Sequence, residues 1–90
     1  MTLFSINPAT EQEIARFDED SVGEVETKVA RAATAFKTWR RTTFDERAAL
    51  MHQAAAYIRA NLERLSRAVV DEMGKPIVQA RRETERFAGR

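Results

Sequence analysis

Few side chains in this sequence have the type and spacing that catalysis or metal binding requires. The chain has no cysteine, which excludes a thiolate nucleophile, a disulfide framework and a cysteine-ligated zinc or iron–sulfur site. His52 is the only histidine, so a metal site built on it would lack further imidazole or thiolate ligands. The serine and threonine hydroxyls have no arranged base, which a nucleophilic hydroxyl needs. We therefore predict that His52 is an ordinary helix residue.

Three charged clusters and the glycines are better explained by structure than by ligand binding. Arg40–Arg41 and Arg81–Arg82 are candidates for phosphate binding, but acidic residues lie near each pair, a pattern typical of solvated helix faces. Asp18–Asp20 resembles the start of a calcium loop but lacks the glycine and the distal glutamate of such a loop. The glycines are too scattered for a dinucleotide- or phosphate-binding loop. They are Gly23, Gly74 and Gly89.

Composition and charge limit the classes of function. The chain has 90 residues, with 15 Lys and Arg against 14 Asp and Glu, for a net charge of +1. This balance argues against a nucleic-acid-binding protein, which usually carries a basic excess, and against a polybasic membrane anchor. The longest apolar runs, such as Ala54–Ile58, are far shorter than the ~20 residues that span a bilayer. No signal peptide is recognisable, so we expect one small soluble, cytoplasmic domain.

Alternation of apolar residues predicts a short β-hairpin at the N-terminus. Phe4 and Ile6 share one face of a first strand, and Ala15 and Phe17 share one face of a second. The segment Asn7–Thr10 has turn chemistry, because its proline fixes φ and its asparagine hydrogen-bonds the nearby backbone. A two-stranded ribbon is only marginally stable in water, so we expect it to pack on another element.

Capping residues and helical periodicity predict about four amphipathic helices after the hairpin. Ser21 with Glu24, and Thr43 with Glu46, have the spacing of capping boxes at two helix starts. After each box, apolar residues recur every three or four positions. The sequence therefore predicts a mostly α fold, in which a short N-terminal β-hairpin is followed by these helices.

The second apolar stripe is long for one globular helix. It runs from Thr43 to Met73, which predicts two helices or one bent helix with Asn61 as an internal cap. Gly74 suits a left-handed helix end, and Pro76 suits the first position of the next helix.

The last predicted helix begins near Pro76 and carries a single apolar stripe. Its spacing predicts an ion pair between Arg81 and Glu85, which lie about one helical turn apart. The stripe consists of Ile77, Ala80, Thr84 and either Phe87 or Ala88.

Four groups of residues, in their order and spacing, resemble the beginning of an NAD(P)-dependent aldehyde dehydrogenase. They are Ile6–Thr10, Phe36 with Trp39, Arg47 with Leu50, and Glu72–Pro76. The continuation Ile77–Glu83 is similar to the succinate-semialdehyde dehydrogenase branch. One departure is Glu11, where many members have glycine, and this leaves the type of the hairpin turn open. The resemblance covers nearly the whole chain.

The resemblance implies that residues 1–90 are the N-terminal segment of the cofactor-binding domain of a longer enzyme, with a hairpin in 1–18 and helices in 21–90. In members, a cysteine thiolate attacks the aldehyde, hydride passes to NAD or NADP, and glutamate-activated water releases the carboxylate. None of these catalytic or cofactor-binding residues corresponds to a position in this chain. We therefore expect it to bind no NAD(P) and to be inactive alone. Members are homo-oligomers, and we expect exposed apolar faces here to favour self-association.

The resemblance also implies candidate ligands for a structural monovalent cation, which some members bind. They are the backbone carbonyls of Ser5 and Ile6 and the carboxylate of Glu83. The alternative is that Glu83 is a solvated surface carboxylate. No other metal site is predicted.

Three hypotheses about function stay open at this point. The chain is either part of such an enzyme or a stand-alone helical protein-interaction module that has kept the family's sequence. A small nucleic-acid binder that uses the arginine-rich helix faces is a third hypothesis. The near-neutral charge and the lack of alternating aromatic and basic residues weigh against it.

Overall fold

The computed structural model describes residues 1–89, which form two strands and four helices. In chain order they are β1 (Thr2–Ile6), β2 (Glu13–Asp18), α1 (Val22–Trp39), α2 (Phe44–Ala60), α3 (Leu62–Met73) and α4 (Ile77–Ala88). The predicted fold class, a mostly α chain with an N-terminal β-hairpin, is confirmed. Within residues 1–89 no helix has the length and apolar character needed to cross a membrane.

The hairpin is an antiparallel pair in which Leu3 lies opposite Phe17 and Ser5 lies opposite Ala15. After Ser5 the register shifts, which is a β-bulge at the end of β1. The larger apolar side chains of the ribbon stay about half exposed, and β1 packs on α3. The expectation that the ribbon packs on another element is therefore confirmed.

Asn7 builds the hairpin turn, as its residue type predicts. Its Oδ1 accepts hydrogen bonds from the backbone N–H groups of Ala9 at 2.9 Å and Thr10 at 3.2 Å. Glu11 then takes a left-handed φ of 61°, and its N–H donates to the Asn7 carbonyl at 2.8 Å. This conformation explains why glycine suits the position, since a left-handed residue with a Cβ costs about 1–2 kcal/mol.

Both predicted capping boxes are confirmed at the starts of α1 and α2. The Ser21 hydroxyl accepts from the Glu24 N–H at 3.2 Å, and the Glu24 carboxylate accepts from the Ser21 N–H at 2.6 Å. Thr43 and Glu46 repeat this exchange at 3.1 Å and 2.6 Å. Each box thus satisfies backbone donors that a helix start leaves without partners.

The long stripe divides into α2 and α3 at Asn61, as one of the two alternatives predicts. The Asn61 Nδ2 donates to the Tyr57 carbonyl at 2.9 Å, and its side chain makes no hydrogen bond to the start of α3. Its backbone, at φ −118° and ψ 24°, lies outside the helical region. Asn61 therefore caps the end of α2 rather than the beginning of α3.

The buried centre of the molecule lies between α3 and α4 and consists of small side chains. Ser66, Ala80, Thr84 and Ala88 are buried. The Ser66 hydroxyl donates to the Thr84 hydroxyl at 3.2 Å, and the Thr84 hydroxyl donates to the Ala80 carbonyl at 2.9 Å. Of the two alternatives at the end of the α4 stripe, Ala88 is buried and Phe87 is 77% exposed.

Candidate functional site

The segment Glu72–Pro76 forms the corner between α3 and α4, and the hairpin packs against this corner. The Ser5 hydroxyl donates to Glu72 Oε1 at 2.8 Å. Gly74 has the predicted left-handed conformation, with φ 67°. A Cβ on Gly74 would lie only 3.0 Å from the Pro8 ring carbon Cγ. Glycine is therefore required at this corner by its backbone conformation and by the close approach of the hairpin turn.

Two ion pairs involve α4, one at this corner and one with the first turn of α3. Lys75 Nζ donates to the Glu83 carboxylate across the corner. Arg81 donates from Nε and Nη2 to the two Glu63 oxygens at 2.7 Å and 3.0 Å, which joins α4 to α3. The hydrogen bonds from Arg81 lower the pKa of the Glu63 carboxyl, and the Glu63 carboxylate raises the pKa of Arg81.

The predicted partner of Arg81 is wrong. Arg81 pairs with Glu63 of the neighbouring helix and not with Glu85 of its own helix. The physical reason is that the planar guanidinium makes two parallel hydrogen bonds to Glu63, a geometry stronger than a single exposed contact along one helix.

Of the three candidate cation ligands, the Ser5 and Ile6 carbonyls lie at the end of β1 and the Glu83 carboxylate lies on α4. Ser5 is half-buried and its hydroxyl is bonded to Glu72. Ile6 is exposed and pairs with Glu13 in the hairpin. The Glu83 carboxylate accepts from Lys75, so a monovalent cation there would compete with an ammonium group already in contact. The cation site stays a prediction.

Two of the concave surfaces among the described residues involve α4. An open cleft of about 600 Å³ at the ends of α2 and α4 is lined by charged groups, and a groove of about 420 Å³ along α3 and α4 is mostly apolar. The cleft is lined by Arg59, Leu62, Arg82, Glu85, Arg86 and Gly89. The groove is lined by Ile58, Leu65, Val69, Met73, Thr84 and Phe87, and also by the Lys75–Glu83 ion pair.

The described residues are equipped for packing more than for chemistry. Within residues 1–89 no cluster of three or more histidine, aspartate or glutamate side chains could hold a metal ion. Arg82 belongs to a pair that the sequence offered as a phosphate-binding candidate, whereas Arg59 and Arg86 reach the cleft only through the fold and were not indicated by sequence spacing. Among these residues the structure shows exposed apolar faces and an ion pair between two helices, Arg81–Glu63.

Comparison with known proteins gives the family. The model of the aldehyde dehydrogenase family matches residues 1–90, the whole chain. The chain belongs to the aldehyde dehydrogenase family. The resemblance seen in the four sequence groups is therefore confirmed.

The similar curated proteins are much longer than this chain. An aldehyde dehydrogenase of Paenarthrobacter nicotinovorans is 35% identical over 88 residues, which are 98% of this chain and 19% of that protein. The NAD(P)+ succinate semialdehyde dehydrogenase Sad of Escherichia coli K12 is 36% identical over 84 residues, 93% of this chain and 18% of Sad. A 3-sulfolactaldehyde dehydrogenase of Pseudomonas putida is 42% identical over 74 residues, 82% of this chain and 15% of that enzyme. The chain thus spans less than a fifth of these relatives.

Proposed function

We propose that the chain is the N-terminal segment of an NAD(P)-dependent aldehyde dehydrogenase that oxidises succinate semialdehyde or a similar aldehyde to its carboxylate. The observation that carries the proposal is the family match over all 90 residues, which correspond to 19% or less of the relatives reported above. The name of Sad supports the substrate class and the cofactor. In this reading the segment contributes a packed layer of helices and the rest of the enzyme contributes the chemistry.

The segment is proposed to be inactive alone, because it has no cysteine and the family reaction uses a thiolate nucleophile. The test is the purified chain with succinate semialdehyde and either NAD+ or NADP+, followed by the absorbance of the reduced cofactor. We expect no turnover above a heat-treated control. Cofactor reduction above that control would contradict the assignment of the chemistry to the rest of the enzyme.

The DNA downstream of the coding segment provides a second test. Translated in all three frames, it is expected to encode a strand-rich segment and, further on, a cysteine in a glycine-rich context. If it does, the complete polypeptide should reduce NAD(P)+ faster with succinate semialdehyde than with 3-sulfolactaldehyde. If no frame encodes such a segment, the proposal fails.

The second candidate function is a stand-alone protein-interaction module. The exposed apolar side chains of α1 and of the groove favour it, because contiguous exposed apolar surface marks interaction sites. A pull-down that yields a specific, saturable complex with a protein outside the family would support the module over the enzyme segment.

A further inference from the structure

Two segments of the chain, residues 40–43 and 81–84, have the same arrangement of basic and hydroxyl side chains. Each consists of two adjacent arginines, one further residue and a threonine. Arginines at fixed positions before a hydroxyl form the kind of charge pattern by which protein kinases select their substrates. Because the spacing is the same in both segments, only their surroundings in the structure can distinguish them.

The segment 81–84 is closed to a modifying enzyme. Thr84 is only 7% exposed, and its hydroxyl donates to the Ala80 carbonyl at 2.9 Å and accepts from the Ser66 hydroxyl at 3.2 Å. Arg81 is held by its two hydrogen bonds to Glu63. The hydroxyl and one arginine of this segment are therefore already used in packing α4 against α3.

The segment 40–43 is the turn between α1 and α2, and its side chains are accessible. Arg40, Arg41 and Thr43 are exposed. Among residues 1–89 neither of these two arginines forms an ion pair. The residue after the threonine, Phe44, is 88% exposed. The turn thus presents two cations, a hydroxyl and an apolar ring along one short exposed stretch.

Of the two threonines in this turn, Thr43 has the available hydroxyl. The Thr42 hydroxyl donates to the Trp39 carbonyl at 2.7 Å and accepts from Arg47 Nε at 2.7 Å. The Thr43 hydroxyl accepts from the Glu46 N–H at 3.1 Å, and it donates to no acceptor within residues 1–89. An exposed hydroxyl whose proton is not held by a neighbour is open to an incoming base.

The charges around Thr43 are divided along the chain. The arginines precede the hydroxyl, and the acidic residues Asp45 and Glu46 follow it. The capping box turns the Glu46 carboxylate back onto the Thr43 N–H at 2.6 Å, and the part of the turn before the hydroxyl stays basic. The complementary partner is therefore a groove with acidic side chains on that side, because opposite charges select the partner.

We propose that Thr43 is a phosphorylation site for an arginine-directed protein kinase, with ATP as the phosphoryl donor. The Thr43 Oγ forms a bond to the γ-phosphorus, the bond from that phosphorus to the β,γ-bridging oxygen breaks, and ADP leaves. The hydroxyl proton passes to the catalytic carboxylate of the kinase. This site does not depend on the proposed function, because it is set by the turn between α1 and α2.

A phosphate on Thr43 changes the charge at the start of α2. It carries about −1.5 to −2 at neutral pH and repels the Glu46 carboxylate of the same capping box. The Arg47 guanidinium lies 5.0 Å from the centre of the Trp39 ring, one helical turn from Thr43. Because hydrogen bonds from arginine to phosphate are charge-assisted, the phosphate is expected to draw Arg47 off the indole and to shift the Trp39 emission to longer wavelength.

The experiment uses the full 90-residue chain in an osmolyte that populates the folded state. The probe is the catalytic subunit of the cyclic-AMP-dependent protein kinase, which is arginine-directed, with Mg–ATP. Mass spectrometry of proteolytic peptides locates the phosphate, and we expect it on Thr43 and not on Thr84. No phosphate on Thr43, or equal phosphate on the two threonines, would overturn the proposal. A phosphorylated chain with unshifted emission would overturn the expected movement of Arg47.

Two variants test the acceptor and its recognition separately. Thr43→Asn removes the hydroxyl but keeps a side chain that caps the helix, so it should lose both the phosphate and the spectral shift. The double variant Arg40→Gln with Arg41→Gln should lower the initial rate about tenfold, as loss of hydrogen bonds to charged groups does. The control is Arg31→Gln with Lys37→Gln, which removes two exposed cations of α1 outside the segment and should leave the rate unchanged. Equal rates in the two double variants would overturn recognition through the arginine pair.

Discussion

Gly74 is favoured as glycine for two reasons, its left-handed backbone conformation and the close approach of the Pro8 ring. An alanine there would keep a left-handed φ of 67° and place its Cβ 3.0 Å from the Pro8 Cγ. Gly74→Ala is therefore expected to lower the free energy of unfolding by about 1–2 kcal/mol from the backbone conformation, with the contact adding to it. Urea unfolding followed by helical ellipticity measures the change, with an osmolyte added to populate the folded state.

Gly23→Ala is the matched control for the glycine at the corner. Gly23 is the second residue of α1, and a Cβ there meets no atom within 4 Å. Because alanine favours helix over glycine, this change is expected to raise the free energy of unfolding by up to about 1 kcal/mol. If both substitutions shifted the urea midpoint in the same direction, the argument from conformation and contact at Gly74 would be wrong.

Arg47 closes the corner between α1 and α2 through three contacts. Its Nε donates to the Thr42 hydroxyl at 2.7 Å, its Nη2 donates to the Trp39 carbonyl at 3.0 Å, and its guanidinium lies 5.0 Å from the centre of the Trp39 ring. A lysine keeps the charge but lacks the planar fork. Arg47→Lys is expected to cost about 0.5–1 kcal/mol from the lost stacking on the indole.

Fluorescence reports this corner directly, because Trp39 is the only tryptophan. We expect Arg47→Lys to shift its emission to longer wavelength, since the indole loses a covering group. The exposed neighbour Arg41 provides the control, and Arg41→Lys should leave the emission where it is. An unchanged spectrum in Arg47→Lys would contradict the stacked arrangement.

At the scale of the elements, the two capping boxes make the helix starts sensitive to acid. The pKa of Glu24 is lowered chiefly by the hydrogen bond from the Ser21 backbone N–H, and that of Glu46 by the bond from the Thr43 N–H. A carboxyl whose pKa is lowered on folding stabilises the folded state above its unfolded pKa, near 4.5. This contribution is lost as the pH falls through the lowered folded-state value.

Helical ellipticity is therefore expected to stay level from neutral pH down to about pH 5 and to fall below the ordinary glutamate range. The double substitution of Glu24→Gln and Glu46→Gln keeps a hydrogen-bond acceptor at both caps but removes the titration. It should reduce the loss of ellipticity in acid. The single variant Glu85→Gln, on the exposed face of α4, should not. An acid transition that is identical in the double variant and the parent would contradict the role of the boxes.

Features set by neighbours in sequence were predictable, and features set by neighbours in space were not. The capping boxes, the Asn7 turn and the left-handed Gly74 depend on residues within a few positions, so residue type and spacing indicate them. The partner of Arg81 and the burial of Ala88 instead of Phe87 depend on how α3 lies against α4. No local pattern contains that information.

The candidate site also combines features that the sequence predicted with features that depend on how the chain folds. Sequence spacing indicated the Glu72–Pro76 corner, and the structure places the hairpin on it through Ser5 and Pro8. The ion pair between Lys75 and Glu83 was not predicted, because the two residues are joined only by the turn into α4. This ion pair bears on the candidate cation site, because the Lys75 ammonium group contacts the Glu83 carboxylate that a cation would use.

At the scale of the whole molecule, the described residues form a flat body whose Cα atoms span 46 × 41 × 14 Å, and this shape predicts the behaviour of the isolated chain. The buried residues of the described structure are small, and large apolar side chains lie exposed along both the hairpin and α1. Burial of apolar surface is the main favourable contribution to folding. A chain that leaves this surface in water gains little from folding alone and more from covering it with any available partner.

The isolated chain is therefore expected to be helical, weakly stable and prone to self-association. Circular dichroism should show helix with a broad thermal transition, and sedimentation should show an average mass that rises with concentration. Phe36→Asp removes an exposed aromatic from the apolar stripe of α1 and should lower that average mass, whereas Thr38→Asp, outside this stripe on the same helix, should not. The stripe consists of Val22, Val25, Val29, Phe36 and Trp39. Because the exposed large apolar side chains lie on more than one element, the hairpin and α1, we expect a series of oligomers and not one dimer. A clean monomer that melts cooperatively at high temperature would show instead that a single layer of these helices suffices for a stable fold.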